Sequence, residues 1–329
     1  MASNHRDNED NSLVSIIVST MNEEDHIRNL ITSLYAQIYR PLELIIVDGG
    51  SIDQTTKIVR KFALDLADNL FEIHLLHEKT LGNVTSPANA RNIGIKNAKG
   101  NYIILLDADF FFIDDDSIDK IVGKLKRNQF TKVKVKFAVD TELERQLSLT
   151  YGKLHHCAYR KEILRKITFD PSLGYGEDRD FWFRIYKDIR VNLDVTCDVT
   201  LGRHLCHTKK EFVSQTLWYA RTLPLFIEKV IENKENLWYD EICIPLFGSL
   251  LAIFAPAFIL FSLREDMSYE RSLNRIRFGL WNVLRRYLFV LTFVKASMDR
   301  GFMKSYTLLL LKCLKPMLRS ITRNKKTKL

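Results

Sequence analysis

Tyr102-Ile103-Ile104-Leu105-Leu106-Asp107-Ala108-Asp109 decides the fold. Five apolar or aromatic residues in a row, with no helical periodicity, predict a short buried strand. The run ends on two carboxylates one residue apart. Acids at that place sit at the carboxyl end of a strand, where open α/β sheets hold their ligands.

Upstream the same pattern repeats. Leu13 to Ser19 is a β-branched run and predicts a first strand. Asn22 stands as a possible N-cap for a helix carrying Ile27, Leu30, Ile31 and Leu34 at helical spacing. Leu42 to Val47 predicts a second strand, closed by the loop Asp48-Gly49-Gly50-Ser51. Asp53 can cap a helix bearing Ile58, Val59, Phe62 and Leu66, and Phe71 to Leu76 predicts a third strand. A helix from about Pro87 to Ala98 ends near Gly100, a C-cap signal. Strands alternating with helices predict an α/β, Rossmann-like fold, a mostly parallel sheet flanked by helices. Ser19, Thr20, Asp48 and Asp107 then all lie at strand ends and face one cleft.

The second half is less regular. Val133 to Lys136 alternates and predicts a half-exposed strand. Glu177 to Tyr186 predicts the start of a helix carrying Phe181, Trp182 and Ile185, and Glu211 to Ile231 a further helix. Beyond about residue 235 the composition changes. Ile242 to Leu263 is 22 residues without a charge, long enough to span a bilayer core. Gly279 to Ala296 and Met303 to Leu318 mix apolar residues with Arg285, Arg286, Lys304, Lys312 and Lys315, the pattern of interfacial amphipathic helices. From Arg264 onward there are 16 lysines and arginines against 4 acids. The net charge of +9 therefore resides in the tail, and the rest of the chain is mildly acidic.

These features divide the 329 residues into a polar, disordered lead-in (1–12), a catalytic domain (13–235) and a hydrophobic, basic helical region (236–329). Apolar stretches beside the basic residues favour an anionic membrane surface over nucleic acid as partner. The lead-in has no apolar core, so no secretory signal is expected. Five widely spaced cysteines with no C-x-x-C pair argue against a disulfide framework and fit a reducing compartment.

The Asp107/Asp109 pair can hold a hard divalent cation that also meets phosphate oxygens. The competing use of these acids is a helix start, because Asp114, Asp115 and Asp116 follow closely. Phe110-Phe111-Phe112 excludes a calcium-binding EF-hand loop. No G-x-G-x-x-G follows the first strand, which argues against a dinucleotide-dependent oxidoreductase.

The ordered segments Val14 to Glu24, Ile46 to Thr55, Ala90 to Gly94 and Leu105 to Asp109 closely resemble the nucleotide-sugar-binding half of family-2 glycosyltransferases, which have the glycosyltransferase-A fold. Gly174 to Trp182 resembles the acceptor-side acidic motif of the same family, and the resemblance covers about Leu13 to Tyr219. It implies an inverting glycosyltransferase that moves a hexose from a nucleotide-diphosphate sugar with Mn2+ or Mg2+. By the same resemblance Thr20 and Glu23 meet the nucleoside, Asp48 the base, and Asn92 the donor pocket. Asp109 is the chief metal ligand, and Asp107 is shared between metal and donor. His204 is a further candidate metal ligand, with His207 behind it. Asp178 is the candidate general base, with Glu177 as alternative and Asp180 as a supporting residue. Asp48 also has a plain use as a turn former, and Arg91 as a surface ion-pair residue. Lys209 and Arg221 stand between phosphate contact and a solvated helix face.

The expected acceptor is a hydroxyl of a lipid-linked glycan. A polyprenyl phosphate and a catalytically inactive membrane-attached module are the alternatives. Nucleotide sugars are cytosolic, so the expected location is the cell membrane with the catalytic domain facing the cytoplasm. A tail that also stays inside calls for a two-pass or hairpin arrangement.

Overall fold

A computed structural model describes residues 12–66, 68–81, 85–137, 155–174, 176–190, 195–204, 209–232 and, further on, 288–299 apart from 290 and 297. The chain divides into two units, Met1–His207 and Thr208–Leu329.

The first unit is built on an eight-stranded sheet. Its elements are β1 (Val14–Thr20), α1 (Ile27–Tyr35), β2 (Leu42–Asp48), α2 (Thr55–Leu66), β3 (Phe71–His77), α3 (Glu78–Leu81), α4 (Pro87–Asn97), β4 (Tyr102–Asp107), β5 (Phe110–Phe112), α5 (Ser117–Leu125), β6 (Phe130–Phe137), β7 (His155–Arg160), α6 (Lys161–Leu164), α7 (Glu177–Arg184) and β8 (Thr196–Arg203). The strand order is β3-β2-β1-β4-β7-β6-β8-β5. β3, β2, β1 and β4 are mutually parallel; β2, β1 and β4 are buried along nearly their whole length, as inner parallel strands covered on both faces are, whereas β3, at the edge, is mostly part-buried. Alternate residues enter two cores. Ile16, Val18, Leu44, Ile46, Ile104 and Leu106 pack with residues of α1, α2 and α5. Ile17, Ile45, Val47, Ile103 and Leu105 pack with residues of α4, α6 and α7. The contact of α4 with β1 is close: a Cβ on Gly94 would stand 2.2 Å from Ile17.

The far half of the sheet departs from the mostly parallel expectation. β7 runs antiparallel to β4 and to β6, β6 and β8 are parallel, and β5 is antiparallel to β8. The sheet is therefore mixed. Two local expectations also fail. Asn22 does not cap α1; it has a positive φ of 58° and its side chain accepts from the Ile52 amide at 2.9 Å. Gly100 is not a left-handed C-cap. Its Cβ position is blocked by the backbone of Leu13 and Ser15 at 2.6–2.8 Å, so glycine is needed there for close approach.

The second unit begins with α8 (Lys209–Glu232), a long helix containing Pro224. Arg221 is exposed on it, the solvated alternative of its two readings. Among the described residues no helix is long and apolar enough to cross a membrane. Residues 1–11 of the lead-in, His207, Ile242 to Leu263 and Met303 to Leu318 lie outside the described residues, as does most of Gly279 to Ala296.

Candidate active site

β1, β2 and β4 end in register, with Thr20 beside Asp48 and Ser19 beside Asp107. This places four of the expected residues along one edge, as the strand-end argument requires. Asp107 Oδ1 accepts from Ser19 Oγ at 3.1 Å and from Arg91 Nη2 at 2.9 Å. Arg91 is buried, and its Nη1 donates to Glu177 Oε1 at 2.6 Å. One guanidinium thus joins the end of β4 to the first residue of α7. The surface ion-pair reading of Arg91 is corrected: α4 packs on β1 and β2 and turns this side chain inward.

Asp109 follows the strand. Its Oδ2 accepts from Arg203 Nε at 2.8 Å, and its Oδ1 is buried with no partner among the described residues. Burial raises the Asp109 carboxyl above its ordinary range; Arg203 opposes this, and the negative Asp107 adds to it. Burial works to raise Asp107 too, but Arg91 outweighs it, with His156 and Arg203 assisting, and holds the carboxyl at about 2. The two acids are thus driven apart, Asp109 upward by burial and Asp107 downward by Arg91, as at sites that handle charge. His156 stacks on Phe110 at 4.5 Å, and burial pushes it down to about 4, so it is neutral near pH 7. Burial pushes Glu177 up to about 7 against the pull of Arg91.

Asp178 stands next to Glu177 in the first turn of α7, after Gly176 in the left-handed conformation. Its Oδ1 accepts from the Arg179 amide at 2.8 Å, and the side chain is half-buried. Asp180 accepts from Arg184 of the same helix at 2.6 and 2.9 Å. The helix is anchored by Phe181, which is fully buried and stacked on Phe169 at 4.0 Å.

The remaining expected residues divide. Glu23 lies at 2.8 Å from His26 through Oε2; burial raises its carboxyl, the His26 hydrogen bond lowers it, and the Asp109 charge adds to the rise. Thr20 Oγ1 is buried without a partner among the described residues. Asp48 is buried and takes the turn-forming role: it accepts from the amides of Gly50 and Ser51 at 3.1 Å and from Ser51 Oγ at 2.5 Å. Asn92 does not present its amide to the edge. It donates to Phe169 O at 2.8 Å and accepts from Phe169 N at 2.9 Å, so it brackets the segment leading to α7. His204 is near the acids: its amide donates to Asp109 O at 2.9 Å. Its ring stacks on His26 at 4.9 Å, and its Nε2 is taken by Asn29 Nδ2 at 2.8 Å.

Sequence reasoning missed Arg203, and with it β5. The signal was present: Phe110 and Phe112 are the buried positions of an alternating triplet, and β5 pairs Phe110 with Arg203. A second acidic cluster, Glu43, Glu72 and His74, has ligand atoms within 4.8 Å of one another. It belongs to the opposite edge: Glu43 is five residues before Asp48 in β2, about 16 Å away at 3.3 Å per residue. Lys99 Nζ already supplies a cation there, 3.1 Å from Glu72 Oε2.

Strand-end carboxylates and a buried arginine joining one of them to an acidic helix start define a transferase-like site for an anionic, phosphate-bearing substrate. The family model "Glycosyl transferase family 2" matches residues 15–184, more than half of the chain, and the chain belongs to that family. An uncharacterized glycosyltransferase of Haemophilus influenzae is 28% identical over 163 residues, half of this chain; the chain spans 55% of that relative's length. The Methanococcus voltae protein named dolichyl N-acetyl-alpha-D-glucosaminyl phosphate 3-beta-D-2,3-diacetamido-2,3-dideoxy-beta-D-glucuronosyltransferase is 23% identical over 290 residues, 77% of this chain and 87% of its own. Among solved structures, the mannosyltransferase PcManGT from Pyrobaculum calidifontis in complex with GDP-Man and Mn2+ has a TM-score of 0.55 at 19% identity, covering 88% of each chain. That likeness concerns the fold.

Proposed function

We propose that this glycosyltransferase moves a hexose from a nucleotide-diphosphate sugar to a hydroxyl of a lipid-linked glycan, with inversion at the anomeric carbon, at the cytoplasmic face of a membrane. The observation that carries the reading is the Arg91 bridge. It holds Asp107, on the donor side, and Glu177, beside the candidate base, to one side chain.

In the proposed step the acceptor oxygen forms a bond to the anomeric carbon as the bond to the diphosphate oxygen breaks. The nucleoside diphosphate leaves, and the acceptor's proton passes to an Asp178 carboxylate oxygen. Asp107 and the Thr20 hydroxyl meet the donor from the strand ends. Asp48 acts chiefly by shaping the loop after β2, and Asn92 by fixing Phe169, so their share in donor recognition is indirect.

Asp109 fits a divalent cation: one of its oxygens is buried and has no partner among the described residues, beside a second carboxylate. Asp109 and Asp107 would hold it. His204 would require its second ring nitrogen, since Asn29 occupies Nε2. Bound there, Mn2+ or Mg2+ neutralises charge on the departing diphosphate. The Pyrobaculum mannosyltransferase, solved in complex with GDP-Man and Mn2+, supports this assignment. The lipid-linked acceptor rests on the uncharged stretch Ile242 to Leu263 and on the dolichyl acceptor in the name of the Methanococcus relative.

The reading is tested by incubating the full chain with UDP- and GDP-hexoses, Mn2+ and membrane lipid extract. Release of UDP or GDP from at least one donor, stimulated by the extract and with the product anomer opposite to the donor's, is expected. No release from any donor would sink the proposal, and retained configuration would remove the inverting step.

A further inference from the structure

The sheet carries a row of positive charge beside the acidic start of α7. On β6, Lys132, Lys134 and Lys136 alternate with Val133 and Val135, which pack into the core on the other face. Phe130 and Lys132 stand opposite Tyr159 and Cys157 of β7, so the lysines share the face on which α7 packs. There Trp182 Nε1 donates to the Tyr159 hydroxyl at 2.9 Å, and Phe181 meets the same ring edge-on at 5.9 Å. β7 is antiparallel to both β4 and β6, so β6 runs in the direction of β4. The row therefore climbs toward the edge at which β4 ends in Asp107. Burial holds the Cys157 thiol up; Asp178 adds to the rise and Lys132 opposes it, so both charges act on this one residue.

A solvated strand face is the plain use of such a row, and two observations argue against it. β6 lies between β7 and β8, so its lysines do not guard a sheet edge. The charges are also poorly countered. They stand about 7 Å apart along the strand, at 3.3 Å per residue. Lys134 pairs at 2.8 Å with Asp198, an acid that is 99% exposed, and a pair so exposed is weak. Lys132 and Lys136 make no ion pair among the described residues. Their neighbours on β8 are Thr196, Thr200 and Gly202, which bring no charge. An anion with several oxygens relieves the repulsion within such a row, and lysine ammonium groups suit phosphate. Across the sheet the order is then the donor edge at β1 and β4, the acids of α7 over β7, and the lysine row on β6. A molecule whose anionic end rests on β6 reaches Asp178 with its neutral end.

We infer that the row Lys132, Lys134 and Lys136 binds the phosphate of the lipid-linked acceptor and so presents an acceptor hydroxyl to Asp178. The inference rests on the acceptor reading above and adds to it the place where the acceptor's charged end is held. The lysines are positioning residues: they touch the acceptor away from the atoms that react.

The test uses the full chain with UDP- and GDP-hexoses, Mn2+ and membrane lipid extract dispersed in non-ionic detergent. Farnesyl diphosphate, which carries phosphates and a prenyl chain but no sugar, is the competing probe. The combined variant Lys132→Gln, Lys134→Gln, Lys136→Gln should raise the KM for extract at least about 10-fold, the value of one charge-assisted contact, and change kcat less than about threefold. Farnesyl diphosphate should compete with the extract in wild type and about 10-fold less well in that variant. Arginine at the same three positions keeps the charges and should hold KM within about threefold of wild type. Added NaCl should raise the wild-type KM, because exposed charges are screened. An unchanged KM for extract in the glutamine variant would overturn the inference. Weaker binding of that variant to sedimented vesicles of phosphatidylcholine and phosphatidylglycerol, with KM unchanged, would assign the row to membrane headgroups instead. A wild type that releases UDP or GDP without stimulation by the extract would remove the lipid-linked acceptor, and the inference with it.

Discussion

Replacing Arg91 by methionine is expected to cost about 3 kcal/mol of folding stability and to lower turnover at least about 100-fold. The stability loss follows from what is left behind. Methionine keeps the apolar stem but strands Glu177 and Asp107, whose side chains are 13% and 36% exposed. An uncompensated buried carboxylate is among the costliest single defects a fold can carry. The more open Asp107 recovers some hydration, so the lower end of the usual range applies. The activity loss follows from geometry. Arg91 joins β4 to α7, and Phe169, over which its guanidinium lies at 5.6 Å, stacks on Phe181 of the same helix. Without the bridge the acidic turn loses its register against the donor edge. Arg91→Lys should lose less, because it keeps the charge while one ammonium replaces a fork that serves two carboxylates. Adding Glu177→Gln to Arg91→Met removes one stranded charge and should restore part of the stability in urea unfolding, though not the turnover. A methionine variant within 0.5 kcal/mol of wild type (roughly the scatter of a neutral surface change) and with normal turnover would mean that the bridge does not form in solution.

The second large effect is on chemistry alone. Asp178→Asn should reduce turnover about 1,000-fold, within the usual range for a general base, with nucleotide affinity and stability close to wild type. The stability expectation rests on its surroundings: the side chain is half-buried, and its described hydrogen bond is to the adjacent Arg179 amide. Glu177→Gln should act differently, weakening the hold on Arg91 and lowering stability as well as rate. Steady-state kinetics with one donor and an extracted lipid acceptor, beside urea unfolding of each variant, separates the two residues. A phosphate acceptor is already ionised and needs no base. Near-full activity in Asp178→Asn would therefore replace the hydroxyl acceptor by a polyprenyl phosphate.

Much of this was legible in the amino-acid order because it depends on local chemistry. β1, β2, β3 and β4 lie within a residue of the bounds that their apolar runs predict; for β1, β2 and β4 the reason is that a strand buried on both faces can contain little else. The start of α4 was equally plain: Pro87 is its first residue and Ser86 caps it, accepting from Asn89 N at 3.1 Å. What escaped is what depends on partners distant in sequence. Arg91 is 86 residues from Glu177, and nothing beside it says that it is buried. Asn92 carries the family motif, yet its amide is used up on Phe169, 77 residues away. β7 enters the sheet antiparallel after a long connection whose sequence has no strand-helix alternation to signal direction. Arg203 depends on the pairing of three phenylalanines that carry the alternation of a strand but are too short to assert one.

The central claim is that the end of β4 is a cation-assisted donor site with Asp109 as its chief ligand. Calorimetric titration of UDP and GDP into wild type and Asp109→Asn, each with and without Mn2+, tests it most directly. The account predicts that Mn2+ tightens the preferred nucleotide at least about 10-fold in wild type, one charge-assisted interaction or more, and leaves its affinity for Asp109→Asn unchanged. Equal tightening by Mn2+ in both proteins would place the cation elsewhere and contradict the assignment.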